Sequence, residues 1–404
     1  MVGWSGRRKT LTILMFIAPT LLGILVFSIY PLVLNTFISL TNRGKFRPNP
    51  DCSSPIWNIV EPTCWLGEPP KGLAEPYAFN DPILKNYTDL LGGLFTGAAL
   101  VAVARLVLIL LPLWIAWYVN RRLDRQLTRP VSSGLIWLAG LVGAVLLGWL
   151  INAPAAYSAL LKSGDFIMVN VRTVLYVLVC MPLFFVTGLV LALILHNQNL
   201  RGVPFFRVVL IIPWAASTVA IMMTLIWQFF FRQQGTINQL IGSALNNYRP
   251  VTFLNSAGWA FAIVVLVNLW YTYGFFMVTL LGGLQSIPLD MYEAAEVDGA
   301  NWWKQLTSIT LPLLRPVAMP VIVLSSLTTY KIDAIVWALT QGGPIAGAGT
   351  PGATEFVMVH AYKQIFQTQA FGRMGAFAVI LFIALFAATL YSLRLTQITK
   401  GATE

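Results

Sequence analysis

Five stretches of this sequence, 10–42, 173–195, 208–231, 250–289 and 374–393, contain no Asp, Glu, Lys or Arg. A helix rises about 1.5 Å per residue, so roughly 20 apolar residues cross a hydrocarbon core of about 30 Å, and every stretch is near or beyond that length. With 57% hydrophobic and only 10% charged residues over 404 positions, the chain cannot surround several globular domains with a polar surface, since soluble domains carry about 25% charged residues. A soluble enzyme is excluded. The fold class is all-α, a polytopic transmembrane helical bundle.

Eight spans fit the pattern, at 12–40, 97–119, 132–152, 173–195, 208–231, 258–284, 311–337 and 374–393. The first follows a basic start (Arg7, Arg8, Lys9), but its apolar run far exceeds the short core of a cleavable signal, so it reads as a retained helix. If the amino terminus is cytoplasmic, the inner segments hold 13 Lys and Arg in 76 residues and the outer ones 11 in 135. That asymmetry favours both termini in the cytoplasm. The net charge of +11 is thereby explained by orientation signals, and nucleic acid is not an expected partner. The turn at 120–129, with four arginines, is the strongest single signal. Segment 41–93 reads as an irregular outer loop or small cap. Cys52 and Cys64 fall within it and are compatible with a disulfide or with two free thiols, while Cys180 lies in a span. The three cysteines lack metal-ligand spacing, and His196 has no acidic neighbour in sequence reach; no metal site is expected.

The inner segment 285–315 contains a helix signature of its own. Pro288 suits a first helical turn and Gly299 a left-handed stop, giving a helix of about three turns. Glu293 and Glu296 share a face, and Ala294 and Ala295 leave room for a close neighbour. Trp302 and Trp303 open a second amphipathic stretch toward Pro312. Two readings fit: an interfacial anchor, or a docking knob.

Glu293-Ala294-Ala295, Asp298-Gly299-Ala300, Ile309, Leu311-Pro312 and Pro316 resemble the EAA loop of binding-protein-dependent ABC importer permeases, and the Asp-Gly-Ala form resembles their carbohydrate-uptake, maltose-permease-like branch. Leu306 departs from the Phe usual in that family. Further matches in family order include Tyr30-Pro31, Gly188-Leu189, Arg201-Gly202, Pro213-Trp214, Trp227, Asn238, Asn268, Trp270 and Leu339 to Pro344. The resemblance covers span one and residues from about 166 onward. It implies three regions: 1–91 as first helix and outer loop, 92–165 as an inserted helix pair, and 166–404 as the core of a type I permease otherwise built from six helices. Glu293, Ala294, Ala295, Asp298, Gly299 and Ala300 would couple to ATPase subunits. The implied partners are a second homologous permease, two ATPase subunits, an extracytoplasmic solute-binding protein and membrane lipid, in a prokaryotic inner membrane. The chain has no phosphate-binding Gly-x-x-x-x-Gly-Lys-Ser/Thr loop, and Gly-rich 342–352 reads as a flexible outer connection. ATP and Mg are therefore expected on the partners, with no catalytic residue and no cofactor on this chain.

Asn268, Tyr271, Thr272 and Phe275 follow helical spacing and form one face of span six. Polar groups there need partners, so the face turns to other helices, by hydrogen bonding, or to a cavity. By resemblance this face, with Thr328, Thr329 and Ile332 of span seven, lines a path for a sugar or related polyol. Pro312, Pro316 and Pro320 recur on one helix face and suggest a structural bend. Lys331 and Asp333 are placed in the outer part of span seven, in a solvated vestibule, and Arg105 in span two is read as snorkelling or pairing with a neighbouring subunit. The alternative is an ion-coupled secondary transporter using Lys331, Asp333 or Arg105. A membrane enzyme lacks any catalytic cluster.

Overall fold

The computed structural model describes residues 7–47, 77–123, 133–197, 200–245, 248–345, 347 and 349–396. Cys52 and Cys64, and the question of their pairing, lie outside the described residues. Among the described residues 7 helices are long and apolar enough to span a bilayer. These are α1 (Thr12–Ser39), α2 (Gly97–Leu123), α3 (Ser133–Leu150), α5 (Asp165–His196), α9 (Ala257–Gln285), α11 (Trp302–Tyr330) and a last one whose full extent is α14 (Phe371–Thr396). Shorter helices intervene: α4 (Ala153–Leu161), α6 (Val203–Ala215), α7 (Ala220–Phe231), α8 (Thr236–Ala244), α10 (Asp290–Val297), α12 (Ala334–Thr340) and α13 (Val357–Phe366). A short helix, Lys85–Leu91, and a 3-10 turn, Gly92–Phe95, precede α2, and the described residues include isolated β-bridges, Thr41 with Phe79 and Gly44 with Arg47.

The span expected at 208–231 is interrupted. It consists of α6 and α7 joined by a 3-10 turn, Ala216–Val219. Pro213 lies inside α6, where it removes a backbone donor and crowds the preceding turn. The span expected at 311–337 is shifted. α11 begins at Trp302, ends at Tyr330, and is followed by a break before α12. Lys331 and Asp333 therefore lie in that break and not within a span. Asp333 is exposed and caps α12 by accepting the Ala334 N–H at 2.6 Å, and Lys331 is exposed.

Two π turns have one sequence cause. Leu25–Ile29 precedes Pro31, with Tyr30 N–H donating to Leu25 O, and Leu306–Thr310 precedes Pro312, with Leu311 N–H donating to Leu306 O. A proline crowds the carbonyl four residues before it. Widening the turn to an i to i+5 bond lets the helix pass the ring without breaking.

The chain divides into two compact units, 1–96 with 361–387, and 97–360 with 388–404. In the first, α14 crosses α1 through glycines: a Cβ on Gly372 would lie 2.2 Å from Thr41 O, and one on Gly375 2.9 Å from Asn35 O. The Asn86 amide there donates to Ser39 O and Thr41 O, each at 2.8 Å.

In the second unit α9 is the axis, packing along α5, α6 and α11. Phe276, Met277, Leu280 and Leu284 of α9 are fully buried against Phe184 of α5 and Leu314 of α11. Glycines set the spacing: a Cβ on Gly188 would lie 2.4 Å from the Phe276 Cβ, and one on Gly274 3.1 Å from the Trp214 Cβ. Small residues at such contacts let helices in lipid approach closely enough for dispersion contacts to hold them together.

Candidate functional site

α10 is an exposed elbow with no buried residue, built from short-range signals. Its carboxyl end is a Schellman motif: Ala300 N–H donates to Ala295 O at 2.8 Å and Gly299 N–H to Glu296 O at 3.0 Å, with Gly299 at φ +75°. Only glycine adopts that backbone without steric penalty. Asn301 then caps the start of α11, accepting the Lys304 N–H at 2.9 Å. One helix thus stops and the next starts within a few residues, which explains the order of Ala295, Gly299 and Ala300. Glu293, Ala294, Asp298 and Gly299 are exposed, and Ala295 and Ala300 are half-buried.

A groove of about 390 Å³ lies against the elbow, lined among others by His196, Leu289, Tyr292, Glu296, Trp302 and Thr310. Across it Tyr292 and Thr310 share a hydroxyl hydrogen bond at 3.0 Å. This latch ties α10 to the π turn at the base of α11. Sequence reasoning missed it, because the partners are far apart in sequence and neither has local spacing that marks it. Val297, 89% exposed, and Trp302 and Trp303, 63% and 64% exposed, leave the elbow's outer surface apolar.

The second assembly is a cavity of about 220 Å³ lined by Trp214, Asn268, Tyr271, Thr272, Thr328, Thr329, Ile332 and Ile335. It unites residues from α6, α9, the end of α11, the break after it and α12. Phe275 is not part of the lining; its ring stacks on Trp214 with centroids 5.7 Å apart. Trp214 and Ile335 belong to the cavity, although helical spacing gave no reason to group them with the α9 face. Gly274 opposite Trp214 supplies the close approach that holds the indole there.

Among the described residues no charged side chain lines this cavity. Thr272 donates to Asn268 Oδ1 at 3.3 Å, and the Asn268 amide nitrogen lies beside Tyr176 and Cys180 with no described acceptor in hydrogen-bonding geometry. The Thr328 hydroxyl donates to Ser325 O at 3.0 Å, which leaves its oxygen lone pairs as acceptors. Aromatic faces beside uncharged donors and acceptors suit a neutral polyhydroxyl ligand, whose C–H surfaces stack and whose hydroxyls hydrogen-bond.

A polar network holds the connection that was expected to be flexible. Arg172 of α5 donates to Gly352 O at 2.6 Å and Pro351 O at 3.1 Å. Buried Glu355 accepts the Gly352 N–H at 3.2 Å and meets buried His360 Nδ1 at 2.7 Å. Thr354 donates to Gly343 O at 2.6 Å. The described part of 342–356 is thereby fastened to α5. Among the described residues no cluster of metal-ligating side chains occurs.

Residues 171–395 match the family model described as binding-protein-dependent transport system inner membrane component. A probable ABC transporter permease protein of Brucella suis is 30% identical over 246 residues, 61% of this chain and 82% of the relative. The trehalose/maltose transport system permease protein of Thermococcus litoralis is 31% identical over 245 residues, 60% of this chain and 79% of its own length. Among solved structures, a bacterial alginate ABC transporter in complex with an alginate pentasaccharide-bound periplasmic protein aligns over 65% of this chain and 91% of its own. The TM-score is 0.49 and the identity 19%.

Proposed function

The chain belongs to the family of binding-protein-dependent transport inner membrane components, the permease subunits of ABC importers, and from this premise we propose that its uncharged cavity is the passage for a neutral sugar or related polyol. The elbow α10 is the surface gripped by a separate ATPase. ATP and Mg are bound there and not on this chain. A second homologous permease and an extracytoplasmic solute-binding protein complete the assembly, and both termini face the cytoplasm.

One observation carries the reading: a single helix, α11, joins the two sites. Its base is latched to the elbow through Thr310 and Tyr292, and its far end presents Thr328 and Thr329 to the cavity. A displacement imposed on α10 is passed to α11 at the latch. Pro316 and Pro320 lie within α11; neither can donate a backbone hydrogen bond, which makes them the places where the helix can bend without losing continuity. Alternating access follows if ATP binding and hydrolysis move the elbow and the cavity walls move with it.

The cavity of about 220 Å³ is smaller than the roughly 300–1,000 Å³ of sites that enclose drug-sized ligands. It suits one sugar ring at a time. A lining whose described residues include no cation favours neutral over phosphorylated cargo, because a buried anion without a counter-charge is costly. The Brucella and Thermococcus relatives support the transport class, and the second supports the carbohydrate. The ion-coupled alternative loses its footing, since Asp333 is a helix cap and Lys331 and Arg105 are both exposed.

Proteoliposomes containing the chain with its partner subunits test this. Uptake of a neutral sugar is expected to require internal ATP and to survive an uncoupler; uptake that needs an ion gradient and no ATP overturns it. Trp214→Ala and Thr272→Val are expected to raise the sugar concentration for half-maximal uptake several-fold, with ATPase binding unchanged.

A further inference from the structure

α2 and α3 lie outside the family match, which begins at residue 171. They form an antiparallel hairpin in which Gly140 and Ala116 approach so closely that a Cβ on Gly140 would lie 2.6 Å from the Ala116 Cβ. Beside that contact runs an apolar groove of about 640 Å³. Pro112, Ile115 and Val119 form one wall, and Leu135, Ile136 and Ala139 the other. The wall from Pro112 to Val119 is roughly 10 Å long at helical rise, the length of part of one acyl chain.

Beyond the groove, the carboxyl end of α2 has the opposite character. Val119 is followed by Asn120, Arg121 and Arg122. Both arginines are exposed, and among the described residues neither is in an ion pair. Their guanidinium groups rest on aromatic rings, Arg121 at 5.3 Å over Trp117 and Arg122 at 4.9 Å over Tyr118. Stacking uses the guanidinium faces and fixes their position, and it does not occupy the N–H edges that would meet an anion. Trp114, Trp117, Tyr118 and Trp137 are exposed on the same hairpin, an aromatic belt of the kind found at headgroup depth.

An apolar tail gains nothing by exchanging bulk lipid for this groove, because lipid tails are as apolar as the residues that line it. Selection must therefore come from the headgroup, and the charge beside the groove is positive. We propose that the groove and the pair Arg121 and Arg122 form a binding site for an anionic phospholipid, with one acyl chain in the groove and the phosphate on the two guanidinium groups. The belt of exposed aromatics favours lipid over a partner's helix, which would have to cover it. The proposal is independent of what the chain transports.

Native mass spectrometry of the full chain in its assembled complex, after equilibration with equimolar phosphatidylglycerol and phosphatidylcholine, tests it. Two surface cations are expected to enrich the bound phosphatidylglycerol by about tenfold or more. R121Q/R122Q is expected to bring the ratio to within about twofold of parity, and R121K/R122K to keep most of the preference, because the point charges remain. A139W fills the groove away from the Gly140 contact and is expected to remove one retained lipid of either class. Parity in the unmodified chain, an undiminished preference in R121Q/R122Q, or an unchanged lipid count in A139W overturns the site. So does cross-linking of A139C to another protein chain of the complex, which would identify a protein as the occupant. Should R121Q/R122Q fail to insert, R121K/R122K and A139W still decide between these outcomes.

Discussion

Helices α9 and α2 have similar lengths, and of the two α2 is the more apolar, yet 50% of the most apolar window of α9 is buried inside the protein and only 11% of that of α2. In water the more apolar helix would be the more buried. In a bilayer the order reverses, because lipid tails satisfy apolar side chains and only polar or glycine-lined faces gain by turning inward. α9 turns Asn268, Tyr271 and Thr272 toward a cavity and uses Gly274 and Gly283 to draw α6 and α11 close. Most large apolar side chains of α2, such as Val107, Leu108 and Trp114, are exposed, as is Arg105. Polarity within a span, more than apolarity, marks the helix that turns inward and lines the cavity.

Substitutions along the two helices and the elbow can break that contrast. The largest effect is expected at Gly188, where a Cβ would sit 2.4 Å from the Phe276 Cβ and 3.0 Å from the Met277 nitrogen. Gly188→Leu should prevent the α5–α9 contact and abolish recovery of folded protein, read by size-exclusion profile, since overpacking costs about 1–3 kcal/mol even in cores that relax. Gly282→Leu, with nothing within 4 Å of its Cβ, should leave the profile unchanged. Equal outcomes would mean that helix spacing in the core does not depend on glycine.

Next is the elbow. Gly299→Val meets no neighbour within 4 Å, so its penalty is purely that of a β-branched residue at positive φ, about 1–3 kcal/mol. ATP-driven uptake should fall tenfold or more with insertion intact, and Gly299→Asn should restore much of it. Glu293→Lys should likewise weaken ATPase copurification without disturbing insertion. A smaller effect is expected for Tyr292→Phe, which removes one hydrogen bond worth about 0.5–1.5 kcal/mol: uptake per ATP hydrolysed should drop several-fold while ATPase binding persists. The smallest is Ala139→Leu on α3, exposed and away from the core. Uptake and thermal midpoint should stay unchanged within error; a large loss there would show that the hairpin takes part in transport.

The two sites differ in how far the amino-acid sequence reveals them. The elbow is legible because its determinants lie within a few residues of one another: a glycine at a helix stop, an asparagine at the next start, and acidic residues three apart. The polar face of α9 is legible for the same reason, as a helical repeat. Its companion Trp214 is not, because it arrives from another helix, and Phe275, on the right face by spacing, supports the indole instead of lining the cavity. Hydropathy also misplaces the end of α11. Apolar residues continue past Tyr330, and nothing in their pattern reveals that Asp333 caps a separate helix.

Membrane residence, helical class and the chemistry of the elbow follow from the sequence alone, because backbone hydrogen bonding in lipid and a glycine's left-handed turn are local constraints. The cavity, the hydroxyl latch between Tyr292 and Thr310, and the burial of α9 in place of α2 were decided by tertiary structure. Each depends on contacts between segments distant in sequence, whose meeting is fixed by how closely helix backbones approach and not by the composition of any one of them.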